Sequence, residues 1–401
     1  MRRISTFAKH WPTTLAAVGV VTLCGIGPGQ AQEAPRESIG PFFDIDWSVG
    51  LRGAYTSNSL TGSHYEAILA PEVTLSRQGQ REQMSLTTGA DLSIDQNKAV
   101  RLGDVHAKAA STYALDENST LSGSLDLSLT RISPDDPSLA TGTGIAPQKF
   151  TGTAQGIATR KLGQFDLTGT LTGERFIEGP TTLDDSSIID NVNQNYWLGS
   201  GELRVGYELT PLLSVFADGE YSSSKFDAVS PSLGVFLNGH TYTLRGGASY
   251  TQQGNFVAEA SVGRAWMDYD HASLTDAASW VYDASLTFTP DETISLVGSL
   301  ETTLAPSTNV YGDTDVGYTL RGGAIYQVNP WLTLRSSASL DRTVTLGSGD
   351  VDWGYTAGAG LDLSTSRHVV WSADYLFSHD EPPGDPVSNT HAVTLGVKVK
   401  K

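Results

Sequence analysis

The sequence predicts an all-β fold, an antiparallel up-and-down transmembrane β-barrel of about 18 strands, with 16 strands as the open alternative. Three observations lead to this prediction. Apolar and polar residues alternate with a period of two in many segments, most of these segments have 11 to 15 residues, and short connections alternate with long ones. A tilted membrane strand needs about 9 to 11 residues, so the segments are long enough to cross a bilayer.

Residues 1–31 have the pattern of a signal peptide. Basic residues precede an apolar stretch at 15–26, and small residues lead to a predicted cleavage point after Ala31. The apolar stretch is much shorter than the roughly 20 residues that a membrane-spanning helix needs. The mature chain is then expected to have a short periplasmic segment, 32–42, followed by one barrel domain, 43–401.

The leader also carries the cysteine at position 24, so the mature chain has no thiol to mispair in an oxidising compartment. The whole chain has a formal net charge of -18 at pH 7, and the leader contributes only basic residues to it. So acidic a chain is not expected to bind nucleic acid, which requires clustered Lys and Arg. Its 12 Phe, 8 Trp and 15 Tyr argue against a disordered acidic protein.

The first predicted strand shows the pattern. Between Phe43 and Tyr55, odd positions are mostly apolar, whereas even positions include Asp44 and Arg52. A strand places these two sets on opposite faces, which a helix cannot do. After the leader no run of 18 apolar residues occurs, so we expect no membrane-spanning helix. The predicted strands are 43–55, 65–76, 82–95, 101–115, 118–131, 149–161, 163–177, 195–209, 212–225, 240–251, 255–268, 279–289, 292–305, 315–328, 331–344, 351–364, 368–379 and 389–400.

The connections support the same fold. Long polar links such as 132–148 and 178–194 alternate with tight links, which fits an even number of strands with both termini in the periplasm. The tight links contain turn-forming residues. They include Thr210-Pro211, Gln253-Gly254-Asn255, Pro290-Asp291 and Asn329-Pro330.

A repeat indicates the height of the membrane. The segment 242–250 recurs almost unchanged at 318–326, 76 residues later, and each copy begins and ends with Tyr. The eight steps between these tyrosines cover about 20 Å vertically on a tilted strand, close to the apolar band. We therefore predict two girdles of aromatic residues. The predicted girdle residues are Tyr242, Tyr250, Tyr282, Phe288, Tyr318, Tyr326 and Tyr355.

Several of these features together resemble a known family. The segment 203–221, which reads LRVGYELTPLLSVFADGEY, the leader and the Tyr-x-Leu-Arg-Gly-Gly hairpins resemble the Putative β-barrel porin family of proteobacterial outer-membrane proteins. The resemblance covers the mature chain. It implies an outer-membrane barrel, commonly porin-like, without established catalytic residues. The chain departs from many such barrels by ending in Val399-Lys400-Lys401 rather than in an aromatic residue.

The parity opposite to the apolar residues should line a wet and acidic lumen. A cation-preferring pore is one interpretation, and solvated wall residues without a special role are the alternative. The predicted lumen residues are Asp91, Asp126, Asp166, Glu202, Arg204, Asp218, Glu220, Arg245, Glu259, Asp283, Glu301, Arg321, Arg335, Asp362 and Asp374.

Two further features could shape the pore. Arg245 and Arg321 each lie three residues below a girdle tyrosine, and opposed to acidic groups they could create a transverse field. Ordinary pairing with neighbouring carboxylates is the alternative. The link 132–148, with Asp135 and Asp136, is a candidate constriction loop because of its position after the fifth strand, and a plain external loop is the alternative.

Signals for chemistry are weak. The sequence has no Gly-x-Ser-x-Gly, phosphate-binding loop or His-Glu-x-x-His motif, so we expect neither an enzyme nor a cofactor. Asp184, Asp185 and Asp190 could hold Ca²⁺, but solvation is the simpler interpretation, and no metal site is predicted. We also expect the scattered histidines to lie in external loops. These are His64, His240, His271 and His379.

The predicted function is passive diffusion of small hydrophilic solutes or ions. The alternatives are a conduit for polysaccharide export and a nonconducting structural or adhesive barrel. An acidic lumen argues against export of polyanions, because a conduit for polyanions should be lined by Arg and Lys. The expected partners are outer-membrane lipids and lipopolysaccharide, the outer-membrane assembly machinery and the solutes themselves, and a homo-oligomer stays open.

Overall fold

The computed structural model describes residues 43–96, 100–131, 139, 142–252, 255–307, 313–384 and 386–401. The predicted leader and periplasmic segment lie outside these residues, as do Asp135 and Asp136.

Eighteen long strands form one antiparallel sheet, and every predicted strand overlaps one of them. The wall strands are β1 (Asp44–Asn58), β2 (Gly62–Gln78), β3 (Glu82–Asp95), β4 (Val100–Asp116), β5 (Ser119–Arg131), β7 (Gln148–Leu162), β8 (Phe165–Glu178), β11 (Tyr196–Thr210), β12 (Leu213–Phe226), β13 (Gly239–Gln252), β14 (Phe256–Tyr269), β15 (Ala277–Asp291), β16 (Ile294–Pro306), β17 (Thr314–Asn329), β18 (Leu332–Leu346), β19 (Val351–Ser366), β20 (Val369–Glu381) and β21 (Ser388–Lys400). Three short strands, β6 (Thr143–Ile145), β9 (Thr181–Leu183) and β10 (Ile188–Ile189), and a 3-10 helix at Val192–Gln194 lie in the connections.

The wall closes between its first and last strands. β1 pairs with β2 on one side and with β21 on the other, from Ser48 opposite Lys400 to Asn58 opposite Thr390. Closure pairs the edges that an open sheet would leave free. Because the number of antiparallel strands is even, the start of β1 and the end of β21 lie at the same end of the barrel, here called the lower end. The predicted 18-strand barrel is confirmed, and the long connections lie at the opposite, upper end.

The tight links at the lower end follow the predicted turn chemistry. Asn329 accepts hydrogen bonds through Oδ1 from the amides of Trp331, at 3.0 Å, and Leu332, at 2.9 Å. Asp291 accepts one in the same way from the amide of Thr293 at 2.8 Å. These side chains satisfy amides that the turn leaves without a ladder partner.

Contacts between strands that are not neighbours identify the inner face. Arg204 on β11 makes two hydrogen bonds of 2.7 Å with Glu259 on β14, three strands away. Neighbouring strands lie about 4.8 Å apart, so two side chains can meet over that span only on the concave side of the sheet. The parity of Arg204 therefore faces inward. The opposite parity, which includes Leu203 and Leu244, faces outward, and Leu244 is 60% exposed.

Among the residues that the structure describes, no helix is long and apolar enough to cross a membrane.

The upper connections have structure that the sequence did not predict. β6, β9 and β10 form a separate small sheet. Two buried asparagines form hydrogen bonds to the chain segment that leads into β9. Asn195 accepts a hydrogen bond of 2.7 Å from the amide of Glu178, and Asn191 donates to the carbonyl of Gly179 at 2.8 Å and to the hydroxyl of Thr181 at 3.0 Å.

The wall has a long seam between the upper halves of β15 and β16. The two strands pair from Asp291 opposite Ile294 up to Ala284 opposite Leu300 and no further, although both continue upward. Above this point the hydroxyl of Thr302 replaces the backbone ladder. It accepts from the amide of Tyr282 at 3.0 Å and donates to the same residue's carbonyl at 2.8 Å.

The upper ends of β16 and β17 lie inside the wall at this seam. Thr314 has the outward parity of β17, yet its hydroxyl lies 3.0 Å from that of Tyr269 and 4.0 Å from the sulfur of Met267, both on the inner face of β14. Val316 and Met267 are each only 1% exposed, and Val281 on the inner face of β15 is buried too. The wall therefore overlaps itself, and a two-layered shelf narrows the upper mouth.

Candidate functional site on the inner wall

The pairing registers bring charged inner residues of distant strands to one level. In a closed barrel each strand is staggered against the next by a nearly constant step. With that stagger spread evenly round the wall, Arg52 on β1, Asp126 on β5, Arg245 on β13 and Arg321 on β17 share a level. β1 and β13 are nine strands apart in both directions, so Arg52 and Arg245 face each other across the interior.

Arg245 is the centre of the largest ionic cluster. Its Nε lies 2.7 Å from Asp218 Oδ1, its Nη1 3.1 Å from Asp283 Oδ2, and its Nη2 3.1 Å from Glu202 and 3.6 Å from Glu220. The four carboxylates come from β11, β12 and β15. Glu202 and Glu220 are direct register partners, so the arginine separates two like charges that would otherwise repel.

Two inner glycines make room for Arg245 and for the neighbouring ring of Phe216. Arg245 lies opposite Gly263 on β14, where a Cβ would come within 2.6 Å of the Arg245 Cγ atom. Gly247 lies opposite Phe216, whose ring would be struck by a Cβ there. That ring in turn lies under Arg204, whose guanidinium carbon is 3.4 Å from the ring centroid. Glycine is needed at both positions because side chains approach the backbone closely.

The structure brings other predicted lumen residues into smaller groups. Arg335 on β18 lies 2.9 Å from both Asp362 on β19 and Asp374 on β20. Arg321 lies 3.7 Å from Glu301 on the neighbouring strand. For Arg245 and Arg321, pairing with carboxylates of the same wall is therefore the observed arrangement.

The remaining members of the predicted set are spread along the wall. Asp126 pairs with Lys108 at 2.9 Å. Asp166 lies near the lower end, beside Lys161, which makes its own ion pair of 3.0 Å with Glu208. The prediction that all these residues line a pore stays a prediction, because their common inner face does not by itself show conduction.

The predicted lumen set omits several inner cations, among them Arg52 and Lys108. Arg52, which pairs with Asp91 at 2.6 Å, has the even parity of β1 and could have been found from it. Lys108 has the parity opposite to Val105, Ala107 and Ala109, and a register shift opposite Asp91 and Leu92 makes this parity differ from that at Leu102. Inner carboxylates were omitted from that set as well, such as Glu72, which lies 3.5 Å from Lys398.

A second set of residues narrows the upper mouth. Phe226, at the end of β12, packs with Leu237 and Leu274 from two upper connections. Its ring centroid lies 5.6 Å from that of Tyr196 on the inner face of β11. The connection 227–238 is thus folded against the inner wall. The predicted constriction, by contrast, rested on the link 132–148, whose two aspartates lie outside the described residues.

The histidine prediction was partly wrong. His240 and His379 lie in β13 and β20, and each stacks on a tyrosine of the outer face, Tyr221 and Tyr355 respectively. The reason is that the strands extend above the girdle. His64 also lies in a strand, β2, whereas His271 is in a connection as expected.

The acidic connection does not form a metal site in the structure. Asp185 accepts hydrogen bonds from the hydroxyl and amide of Ser187, which lower the pKa of its carboxyl, and Asp190 accepts from the amide of Val192 at 3.0 Å. Across the described ranges, no group of three or more His, Cys, Asp or Glu side chains could hold a metal ion.

All predicted girdle residues have the outward parity of their strands. At the lower end, the ring of Phe256 lies 5.8 Å from those of Tyr250 and Phe288. At the upper end Tyr242 and Tyr282 are both more than 40% exposed. Their position fits a girdle, and their contact with a membrane interface stays a prediction.

Comparison with known proteins gives a family match over nearly the whole described chain. A family model described as Putative beta-barrel porin 2 matches residues 38–401. No curated protein matches the sequence.

Among solved structures, Pseudomonas aeruginosa OccK5 (OpdH) is 11% identical with a TM-score of 0.43, and the match covers 90% of this chain and 100% of that one. OpdK from Pseudomonas aeruginosa is 9% identical with a TM-score of 0.42, covering 89% and 99%. The loop L8 deletion mutant of Vibrio cholerae OmpT is 12% identical with a TM-score of 0.33, covering 90% and 100%.

Proposed function

The chain belongs to the Putative beta-barrel porin 2 family, and from that membership we propose that it passes small hydrophilic solutes or ions by diffusion and prefers cations. As a member of this family it is a porin-like barrel of the outer membrane. The preference for cations rests on the charges of the inner wall.

The excess of carboxylates around Arg245 is the observation that carries the proposal. One guanidinium faces four carboxylates, Glu202, Asp218, Glu220 and Asp283, at distances of 2.7 to 3.6 Å. With all groups ionised the cluster is net negative. The side chain of Asp218 is only 4% exposed, whereas Glu202 and Glu220 are about 30% exposed and present their charge to the interior.

A second negative group lies elsewhere on the ring of strands. Arg335 contacts both Asp362 and Asp374, so two carboxylates again share one cation. The other inner pairs are one to one and add little net charge. Fixed carboxylates on a low-dielectric wall concentrate cations in the water beside them, and this raises cation flux over anion flux.

The test is ion selectivity in planar bilayers. The refolded barrel should conduct, and its reversal potential in a salt gradient should show a preference for K⁺ over Cl⁻. The double variant Glu202→Gln/Glu220→Gln should reduce this preference. A matched control is Glu82→Gln, which removes an outward carboxylate that pairs with Arg77 at 2.8 Å.

The alternatives predict different results. A structural or adhesive barrel would not conduct, and a conduit for an acidic polysaccharide would prefer anions. If the double variant and the wild type have equal ion selectivity, Glu202 and Glu220 do not cause the cation preference. That result would contradict the proposed mechanism.

A further inference from the structure

The outer face of the barrel carries arginines at the height of the upper girdle. Arg342 on β18 is the direct register partner of the girdle residue Tyr318. Arg264 on β14 lies opposite Leu244 and one outward position below Trp266, the register partner of girdle residue Tyr242. Both arginines therefore share a face with residues that meet lipid.

Each of these arginines lies against an indole on the neighbouring strand. The guanidinium carbon of Arg264 is 5.6 Å from the ring centroid of Trp280, and that of Arg342 is 5.2 Å from the ring of Trp353. Such contacts hold a guanidinium on an aromatic face while leaving its N–H groups free to donate elsewhere. Both indoles are exposed on the outer surface.

Neither arginine has an acidic partner in the part of the chain that the structure describes, where ion pairs are formed by most other arginines. Arg77, on the same outer face at the lower end, pairs with Glu82 at 2.8 Å. Arg175, near the upper end of β8, lies 5.1 Å from the ring of Trp197 but also bonds Asp227. Arg264 and Arg342 thus combine an outward position at the height of the upper girdle, an indole contact and no carboxylate partner among the described residues.

A lipid-facing arginine is costly within the hydrocarbon and tolerable at the interface, where headgroups and water can solvate it. At the upper interface the groups within reach are lipid headgroups. Guanidinium donors match phosphate oxygens in charge and in planar, bidentate geometry. The complementary headgroup is therefore a phosphorylated one.

We propose that Arg264 with Trp280, and Arg342 with Trp353, are two binding sites for the phosphate groups of outer-leaflet glycolipid, the lipid A part of lipopolysaccharide. Each guanidinium donates to a phosphate while its indole packs beside the upper acyl chain. This inference is independent of conduction, because it concerns the outer face and would hold for a barrel that passes nothing.

The sites are tested by comparing the wild type with the double variant Arg264→Gln/Arg342→Gln. Both substitutions remove a charge from a lipid-facing surface, so they should not impair folding. Arg160→Gln is the matched control, because Arg160 has the outward parity of β7 near the lower end, away from the proposed sites.

The measurement is binding of purified lipid A by the refolded barrel in an uncharged detergent, followed by native mass spectrometry. The wild type and the Arg160 variant should retain lipid A, and the double variant should bind it on the order of tenfold more weakly. Enzymatically dephosphorylated lipid A should bind the wild type as weakly as lipid A binds the double variant.

Two results would overturn the proposal. Equal retention of lipid A by the double variant and the wild type would show that these arginines do not hold the headgroup. Equal binding of phosphorylated and dephosphorylated lipid by the wild type would show that the surface recognises acyl chains alone. A thermal-unfolding shift on adding lipid A, lost in the double variant, provides a second readout in the same samples.

Discussion

Arg52 and Arg245 face each other across the barrel from β1 and β13, but their surroundings differ in charge. Arg52 has a single carboxylate partner, Asp91, at 2.6 Å, whereas Arg245 shares four carboxylates. Carboxylates are therefore more concentrated around Arg245 than around Arg52.

Removing the cation of the Arg52–Asp91 pair should strengthen the cation preference. In Arg52→Gln, Asp91 loses its partner, and a unit charge about 10 Å from the ion path changes an ion's energy by about 0.4 kcal/mol in water, or roughly twofold in permeability ratio. The effect should grow at low salt, because the Debye length rises from about 10 Å at 0.1 M to about 30 Å at 0.01 M. Reversal potentials at both concentrations measure it. An unchanged ratio, or the same change in the outer-face variant Arg160→Gln, would contradict this expectation.

The face assignment can be tested on one strand. Leu320 on β17 is outward and 50% exposed, while its neighbour Thr319 is inward and donates to Asp341 at 2.8 Å. Leu320→Arg should lower the free energy of unfolding by up to about 2 to 4 kcal/mol, less if the site lies near the interface. Thr319→Arg places its charge beside a carboxylate in a wet interior and should fold. Urea unfolding in detergent or vesicles compares the two, and equal loss of stability would mean that the faces are misassigned.

The glycines of the ionic cluster should differ sharply in tolerance. A Cβ at Gly263 would collide with the backbone of Leu244 and with Arg245, so Gly263→Ala should cost about 1 to 3 kcal/mol by forcing these groups apart. At Gly246, on the outer face, the nearest atom to a Cβ is 3.9 Å away, and Gly246→Ala should be nearly neutral. The midpoint of heat-induced unfolding on gels provides the comparison. Equal behaviour of the two variants would argue against the close approach seen here.

The seam depends on the hydroxyl of Thr302. Thr302→Val keeps the shape but leaves the amide and carbonyl of Tyr282 without these partners, which should cost about 1 to 3 kcal/mol. The loss should be local, with faster hydrogen exchange in the upper half of β15 and little change in its lower half, where the ladder is complete. Thr303→Val, at the next position, is the control. Protection of the Tyr282 amide that survives the change would disprove the bridging role.

Asp227 makes the upper connection sensitive to acid. The side-chain hydrogen bond from Arg175 holds the pKa of this carboxyl below its ordinary value of 3.8. A folded pKa below the unfolded one stabilises the folded form above the unfolded pKa, and this contribution is lost as pH falls through the folded pKa. The packing of the connection 227–238 should therefore loosen below about pH 4. Proteolysis or hydrogen exchange of this segment across pH detects it, and in Asp227→Asn the acid-dependent step should vanish while the segment is looser at neutral pH.

The fold could be predicted from the sequence because the wall strands are regular. In β13, for example, outward Tyr242 and Leu244 alternate with inward Thr243 and Arg245, and this period-two pattern follows directly from exposure of one face to lipid. The tight turns were also predictable, because residues such as Asn329 satisfy local amides through their own side chains. Both signals arise within a few residues of each other in sequence.

The parts that could not be predicted depend on distant residues. The cluster at Arg245 joins four strands, and the pairing of Arg204 with Glu259 spans 55 residues. The shelf at Thr314 and Met267 has the same alternation as the rest of the wall, so its inward position leaves no trace in the pattern. The periodicity of a sequence indicates which face of its own strand a residue occupies. It does not indicate that the upper ends of β16 and β17 lie inside the wall.

The closing pair β1 and β21 has a consequence for how the barrel is made. Leu51 lies opposite Val397, so the last contact of the wall joins the two ends of the folded chain. Every other pair of neighbouring wall strands is joined by a short or moderate connection and can form as the chain arrives. The closing contact instead carries the loop-closure entropy of the entire barrel, and both its edges stay unpaired until β21 is in place. Completion of the wall is therefore a late event that depends on a strand with aliphatic Val393, Leu395 and Val397 on its outer face.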